Sequence, residues 1–449
     1  MTIAGELARR IKAFRYDDIP DTAVTWAKVG ILDTIGVTLA GAGEECVSIV
    51  KRVQGISEET DSGPCLIFGG GRAKPLDAAL INGTASHALD FDDFAGSIGG
   101  HPSVPLVPAI IALGEMTGAS GRDAINAYVA GFETESRIAH GVNFHHYEKG
   151  WHPTATLGIF GTVAATALLL ELSEEETTMA LALAVSLASG VKANFGTMTK
   201  PFHAGAACRT GVTAAQLVAA GFTASLDAIE GRFGFLHAFS GGAGYEADRI
   251  SENLGKTCYL VESGIEIKKY PCCGSAPLAL DATARILDRS PLNAANIEKI
   301  DVLVDFDPPR SLIHDRPRSA LEGKFSMQYC LAAAVLDNKV GMDAFTDQQV
   351  LRPEAQDLIP KVTMRRSADF QGQPSWVEAY NQVAVHLKDG TVLTERVDRI
   401  REGALRGVTM DEIIDKFRDC ASTILTTDDT QELVAGLSEL EQLPDIRHI

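Results

Sequence analysis

Thr154-Ala-Thr-Leu-Gly-Ile-Phe-Gly-Thr-Val-Ala-Ala-Thr-Ala-Leu-Leu-Leu170 is a run of 17 residues without a charge, studded with Gly, Ala and Thr. It is short for a bilayer span, and its small residues let neighbouring helices approach closely, so it reads as a buried core helix. Working outward, Ala, Gly and Thr stay dense as far as Ala220, the texture of the centre of a helical domain. Ser173 with Glu176 three residues later forms a capping box, which opens a helix through Ala188. Upstream, Val24 to Leu39, Pro75 to Asp93, Val104 to Met116 and Ala124 to His140 are further helix candidates. Residues 1–263 therefore read as a large all-α body.

The texture changes after about Ser263. Ile300, Val302, Val304 and Phe306 alternate with Asp301, Leu303 and Asp305 and stop at Pro308-Pro309, a period of two. Val383, Val385 and Leu387 alternate up to Asp389-Gly390, and Val392 to Val397 resumes. Asp-Gly between two such runs signals a hairpin. Helical patterns at Ala276 to Leu287 and Ser326 to Leu336 lie between the strands. Residues 264–402 are thus expected to form a smaller α+β lid with an antiparallel sheet. A second capping box, Thr409 with Glu412, starts helices in 403–449 that return to the body. The fold class expected is mixed: helical body plus α+β lid.

The chain has 449 residues, with 40 Lys and Arg against 59 Asp and Glu, for a net charge of −19. So acidic a surface repels phosphate backbones and anionic membranes, which argues against nucleic acid or a membrane as partner. A local cluster of cations can still oppose that field and bind a small anion. Met1 to Arg15 carries Glu6, Arg9, Arg10 and Lys12 and lacks the apolar core of a secretory signal. Eight scattered cysteines without a C-x-x-C pair suit a reduced, cytoplasmic protein. They also argue against an iron–sulfur dehydratase, which needs three or four Cys ligands. Gly69-Gly70-Gly71 lacks the spacing of a phosphate loop, and neither G-x-S-x-G nor H-E-x-x-H occurs.

Chemistry-bearing residues concentrate in four places, and eight of the eleven histidines fall between His87 and His237. The first runs Asn82-Gly-Thr-Ala-Ser-His87-Ala-Leu-Asp90-Phe-Asp92-Asp93, then Gly99-Gly100-His101-Pro102-Ser103. On a continuous helix Asp90 and Asp93 share a face. His101 falls on a loop, where catalytic groups tend to sit. The bland alternative is a capped helix end with a structural histidine. The second, Trp151-His152-Pro153-Thr154, puts His152 at a helix mouth, where it could serve as a base or simply as a cap. The third, Asn194 to Gly205, places Lys200 in the least charged part of the chain, as a buried counter-ion or a carboxylate binder. The fourth, Lys268-Lys269-Tyr270-Pro271, lies at the entry to the lid, where a Lys pair could capture an anion or be mere surface.

Taken in order, Asn82-Gly83 through Asp93, Gly100-His101-Pro102-Ser103, Gly150-Trp151-His152-Pro153-Thr154, Thr199-Lys200-Pro201, Lys268-Lys269-Tyr270-Pro271 and Phe325-Ser326-Met327-Gln328-Tyr329 resemble the MmgE/PrpD family over nearly the whole chain. That family includes 2-methylcitrate dehydratase, cis-aconitate decarboxylase and iminodisuccinate epimerase. The resemblance implies a helical domain closed by an α+β lid, a homodimer, and no required metal or cofactor. By motif, it implies catalytic roles for Asp90, His101, His152 and Tyr329, and substrate binding by Lys200 and Lys268. The expected substrate is a small di- or tricarboxylate. The expected reaction is a lyase step of the 2-methylcitrate dehydratase kind, with an iminodisuccinate-type epimerase as the alternative.

These residues make chemical sense together. A neutral His can move a proton near pH 7, two lysines can hold carboxylates and absorb developing charge, and Tyr329 can relay a second proton. His101 is the expected base, oriented by Asp90. Two other readings compete. A metal-dependent hydrolase would use Asp90, Asp93, His101 and His152 as ligands. A carboxylate-binding sensor would need the lysines but neither histidine.

Overall fold

The computed structural model describes residues 2–57, 61–370, 372, 380–398 and 408–449. Helix α1 (Asp21–Gly41) is long and apolar enough to cross a membrane by length and composition, yet 78% of that window is buried by other parts of the protein. It belongs to a helical body and packs against α2 (Pro75–Ala88), α3 (Ser103–Thr117) and α4 (Gly121–Val142). On the other side of those helices lie α5 (Gly158–Leu169) and α7 (Thr199–Ala219), with α6 (Glu174–Leu187) packed against both. A small hairpin, β1 (Cys65–Leu66) with β2 (Arg72–Ala73), precedes α2.

The expected capping boxes are present. Ser173 and Glu176 exchange bonds at the start of α6, as do Thr409 and Glu412 at the start of the helix Met410–Ala421. The apolar run from Thr154 is buried as expected, but it breaks at Leu157 into a single turn, Pro153–Thr156, followed by α5. That first turn is held separately, because the Thr154 hydroxyl accepts from the His101 N–H at 3.0 Å. Gly100 lies so close that a Cβ there would sit 2.8 Å from the Thr154 nitrogen.

Small residues decide how α2 and α7 meet. A Cβ on Gly205 would lie 2.3 Å from the Leu80 carbonyl oxygen, and one on Gly83 would lie 2.8 Å from the Gly205 Cα. The two backbones nearly touch, which brings the first turn of α7, with Lys200, beside the end of α2, with His87. The glycines of this region thus have a mechanical consequence for the site.

The lid has its own core, built from α8 (Pro277–Arg289), α9 (Met327–Asp337) and a four-stranded sheet of β3 (Ile297–Val304), β4 (Val362–Arg366), β5 (Tyr380–Leu387) and β6 (Val392–Asp398). The alternation read in the sequence is realised: Ile300, Val302 and Val304 are fully buried against Val383 and Val385 of the neighbouring strand. Each such side chain contributes about 1.5–3 kcal/mol of burial. The Asp389-Gly390 turn closes the β5–β6 hairpin, with the Gly390 N–H on the Leu387 carbonyl and Gly390 at φ +90°.

One expectation is corrected. The sheet is mixed rather than antiparallel, with order β4-β3-β5-β6 and β3 parallel to β4. The chain between those two strands passes through α9 and further short helices, and such a crossover returns the strand in the same direction. After the sheet, α10 (Met410–Ala421) rejoins the helical body, its Ile413 and Phe417 buried with α1. The expected boundary at 402/403 lies outside the described residues.

Candidate active site

Helix α2 was expected to run to Asp93, but it ends at Ala88. Asp90 adopts a left-handed conformation, φ +53°, so Asp90 and Asp93 do not share a helical face. Asp tolerates this region better than most residues. What fixes it here is a clamp on the carbonyls that a helix C-terminus leaves unpaired. Lys324 donates to the Leu89 oxygen at 2.8 Å, Lys268 to the Asp90 oxygen at 2.7 Å, and Lys416 to the Phe91 oxygen at 2.7 Å. Cations suit that negative helix end. Asp93 turns away: it accepts from the Ser103 backbone and hydroxyl at the start of α3, and burial pushes its carboxyl well above the usual range.

The turn delivers Asp90 and Asp92 into a buried cluster. The Lys200 ammonium lies 2.5 Å from Asp90 Oδ1 and 2.8 Å from His87 Nε2. An ammonium has no lone pair, so His87 Nε2 must accept, and its Nδ1–H donates to Asp92 at 2.9 Å. His87 is therefore neutral, and burial lowers its pKa to about 3. Burial alone would raise both carboxyls, but the lysines hold Asp90 below the usual range, and His101 with His87 hold Asp92 well below it. Lys268 Nζ stands 3.3 Å from Asp90 Oδ1. Burial would lower its pKa, but Asp90 and Asp92 raise it.

His101 meets a different carboxylate from the one expected. Its Nδ1 is 2.8 Å from Asp92 Oδ2, whereas its Nε2 is 3.7 Å from Asp90 Oδ1, beyond hydrogen-bond reach. Asp92, not Asp90, is the carboxylate against His101 Nδ1, in a close charge contact rather than an aligned hydrogen bond. Burial lowers the His101 pKa against the opposing pull of Asp92. Asp92 thus holds two imidazoles at once, His87 and His101, whose ring centroids are 4.6 Å apart.

His152 does not cap its helix with its side chain. It is buried, stacks 5.7 Å from His87, and places Nδ1 3.1 Å from His203 Nδ1. Tyr329 is not brought to this cluster: its hydroxyl donates to the Ala344 carbonyl and its ring packs on Phe345, inside the lid core. Its position on the inward face of an apolar helix, α9, explains that placement. Lys269, partner of Lys268 in the sequence, is exposed and pairs with Asp281.

The metal reading meets a physical obstacle. His87, Asp90, Asp92 and His101 bring ligand atoms within 4.8 Å of one another, a set fit for a cation. Lys200 Nζ already lies within bonding distance of two of them, so the charge a metal would supply comes from an ammonium. Asp93, in the set expected for a hydrolase, is committed to Ser103.

The cluster forms the floor of a cleft between body and lid. Asp90, His101, His152 and Lys200 line it from the body, with Phe94 and Phe195, while Ser275, Phe306, Arg310, Phe325 and Asn381 line it from the lid. Of the three buried lysines nearby, Lys268 and Lys324 hold the Asp90 and Leu89 carbonyls, and Lys200 lines the cleft, where its third donor has no partner among the described residues. Sequence reading passed over His87, Asp92, His203 and Lys324. The first two lay in the quoted Asp run, where only backbone geometry separates one acid from the next. Lys324 directly precedes the Phe325-Ser326 motif, the one signal that could have flagged it.

The model of the MmgE/PrpD N-terminal domain matches residues 5–248, and that of the MmgE/PrpD C-terminal domain matches residues 270–441. The chain is 29% identical over 455 residues to the cis-aconitate decarboxylase of Mus musculus, covering 99% of this chain and 92% of that protein. It is 29% identical over 456 residues to that of Homo sapiens, covering 99% and 93%. It is 28% identical over 467 residues to that of Aspergillus terreus, covering 99% and 94%.

Proposed function

This chain belongs to the MmgE/PrpD family, and from that premise we propose that it is a lyase that breaks a bond next to a carboxylate in a small tricarboxylate, with loss of carbon dioxide. The observation that carries the reading is the cleft floor: His101, with the Asp92 carboxylate 2.8 Å from its Nδ1, beside the Lys200 ammonium and between aromatic walls. Lys200 Nζ lies 5.4 and 5.3 Å from the Phe195 and Phe325 ring centroids. A carboxylate that must leave gains from apolar surroundings, because its charge disperses as the C–C bond breaks. The bonding pair shifts through an adjacent double bond toward a second carboxylate, where Lys200 offsets the developing charge. A proton delivered at carbon by the His101 Nε2 completes the balance: one carboxylate and one proton become a C–H bond and CO2. The imidazolium that precedes this transfer is stabilised by Asp92, and the arriving anionic substrate favours it.

The relatives, named cis-aconitate decarboxylases, support decarboxylation over the water loss expected from the sequence. Dehydration and epimerisation would use the same imidazole in the direction of proton removal. Incubation with cis-aconitate, 2-methylcitrate and related acids in deuterated water, followed by NMR, separates the three. Decarboxylation yields CO2 and a product with one deuterium at carbon, dehydration yields an alkene with all carbons retained, and epimerisation exchanges a proton without elimination. No change in any candidate acid would sink the proposal.

A further inference from the structure

His203 has no place in the chemistry above, yet its position relative to His152 is informative. It sits on α7 one turn beyond Lys200, outside the lining of the cleft. Its Nδ1 is 3.1 Å from His152 Nδ1. Two neutral imidazoles in that contact share a single proton, so one ring must donate and the other accept. Whichever holds the proton fixes what His152 offers at its remaining nitrogen, because a neutral ring carries one N–H. That remaining atom, His152 Nε2, is buried without a partner, and His152 lines the cleft.

The surroundings decide which ring donates. Lys200, His87 and His101 all lie close enough to bear on the charge of His152, and Phe195 meets its ring edge at 5.0 Å. After burial, Lys200 is the largest influence holding the His152 pKa well below its ordinary value. His152 Nε2 is buried and unpartnered, and an orphaned N–H there is a costlier choice than an orphaned lone pair. His203 faces no such constraint: 8% of the residue remains exposed, so its own Nε2–H can be satisfied by solvent. Burial, then Lys200, lowers the His203 pKa to about 4, so both rings are neutral at pH 7.

We propose that His203 is a positioning residue that accepts the Nδ1 proton of His152 and so holds His152 with a bare Nε2, making it a hydrogen-bond acceptor in the cleft rather than a donor to the substrate carboxylate. This deepens the lyase reading and rests on it for its kinetic consequence only. Carboxylate binding then falls to Lys200, and the lone pair of His152, close to His101, favours the imidazolium that delivers the proton.

Three proteins test it: wild type, His203→Leu, which removes the acceptor, and His203→Asn, whose side-chain oxygen can take the same proton. In ¹⁵N NMR of the free proteins near pH 7, wild type and His203→Asn should show His152 protonated at Nδ1 and bare at Nε2, and His203→Leu should lose that preference. With a turned-over substrate, His203→Leu should lower kcat by about 10²-fold with KM within about threefold, and His203→Asn should recover most of it. An Nε2–H tautomer of His152 in the wild type overturns the proposal. So does a His203→Asn enzyme as impaired as His203→Leu, or an effect confined to KM. If no acid is turned over, the lyase reading fails, and the NMR result still decides the tautomer.

Discussion

Replacing Asp92 with Asn removes one charge without changing shape, and the site geometry dictates what is lost. Asp92 Oδ2 accepts from His87 Nδ1 at 2.9 Å and lies 2.8 Å from His101 Nδ1, so one oxygen faces both rings. An amide oxygen keeps two lone pairs and can take that place, so the shape of the site survives the substitution. The charge does not: the imidazolium that His101 needs as an acid loses its counter-ion. Losing a general acid outright costs about 10²–10⁴ in rate. With the ring still in place we expect about 10²–10³ in kcat, which is roughly 2.7–4 kcal/mol of barrier. Steady-state kinetics on whichever carboxylate is turned over would measure it, with Asp90→Asn as the control. Asp90→Asn should act mainly through Lys200 and Lys268, raising KM and lowering stability by about 3–5 kcal/mol as buried ammoniums lose their partner. A kcat for Asp92→Asn within about threefold of wild type would refute the reasoning, and a kcat loss confined to Asp90→Asn would restore Asp90 as the orienting acid.

Lys200→Ala should raise KM at least about tenfold, since it deletes the donor offered to the substrate; an unchanged KM would move carboxylate binding elsewhere. Tyr329→Phe should leave kcat within about threefold and cost about 0.5–1.5 kcal/mol in a denaturant titration, because its hydroxyl serves only the Ala344 carbonyl; a kcat loss beyond tenfold would return it to the site. Glu135 is buried with Oε1 unpartnered, and burial, then Asp93, pushes its pKa well above the usual value. A raised folded-state pKa means the native protein holds a proton that the unfolded chain releases above about pH 4.3, so this residue subtracts stability as pH rises toward its folded pKa. Glu135→Gln should therefore flatten the fall of Tm between pH 5 and 8, and parallel Tm curves would contradict that. Gly205→Ala should destabilise by about 1–3 kcal/mol, given the 2.3 Å approach to the Leu80 carbonyl, and should lower kcat by moving Lys200; calorimetry that finds no change in Tm would mean the helices simply shift apart.

What the sequence determined on its own was local. The capping boxes at Ser173 and Thr409, the alternation along Ile300 to Val304 and the Asp389-Gly390 turn each depend on neighbours within a few residues, and each formed as read. The family motifs likewise pointed to Asp90, His101, His152, Lys200 and Lys268, which meet in one buried cluster. Tertiary structure decided the rest, because those outcomes depend on groups far apart in the chain. The direction of β4 follows from the path of a crossover, not from any residue in the strand. Tyr329 went to the lid core because α9 turned that face inward. The choice of Asp92 over Asp90 as the partner of His101 was set by one left-handed residue, held by lysines 235, 178 and 325 positions away from the carbonyls they bind. Hydrophobic period cannot encode such a turn. Only the packed lid and the returning C-terminal helix supply Lys268, Lys324 and Lys416, and without their charges that short run of acids has no reason to separate into three different roles.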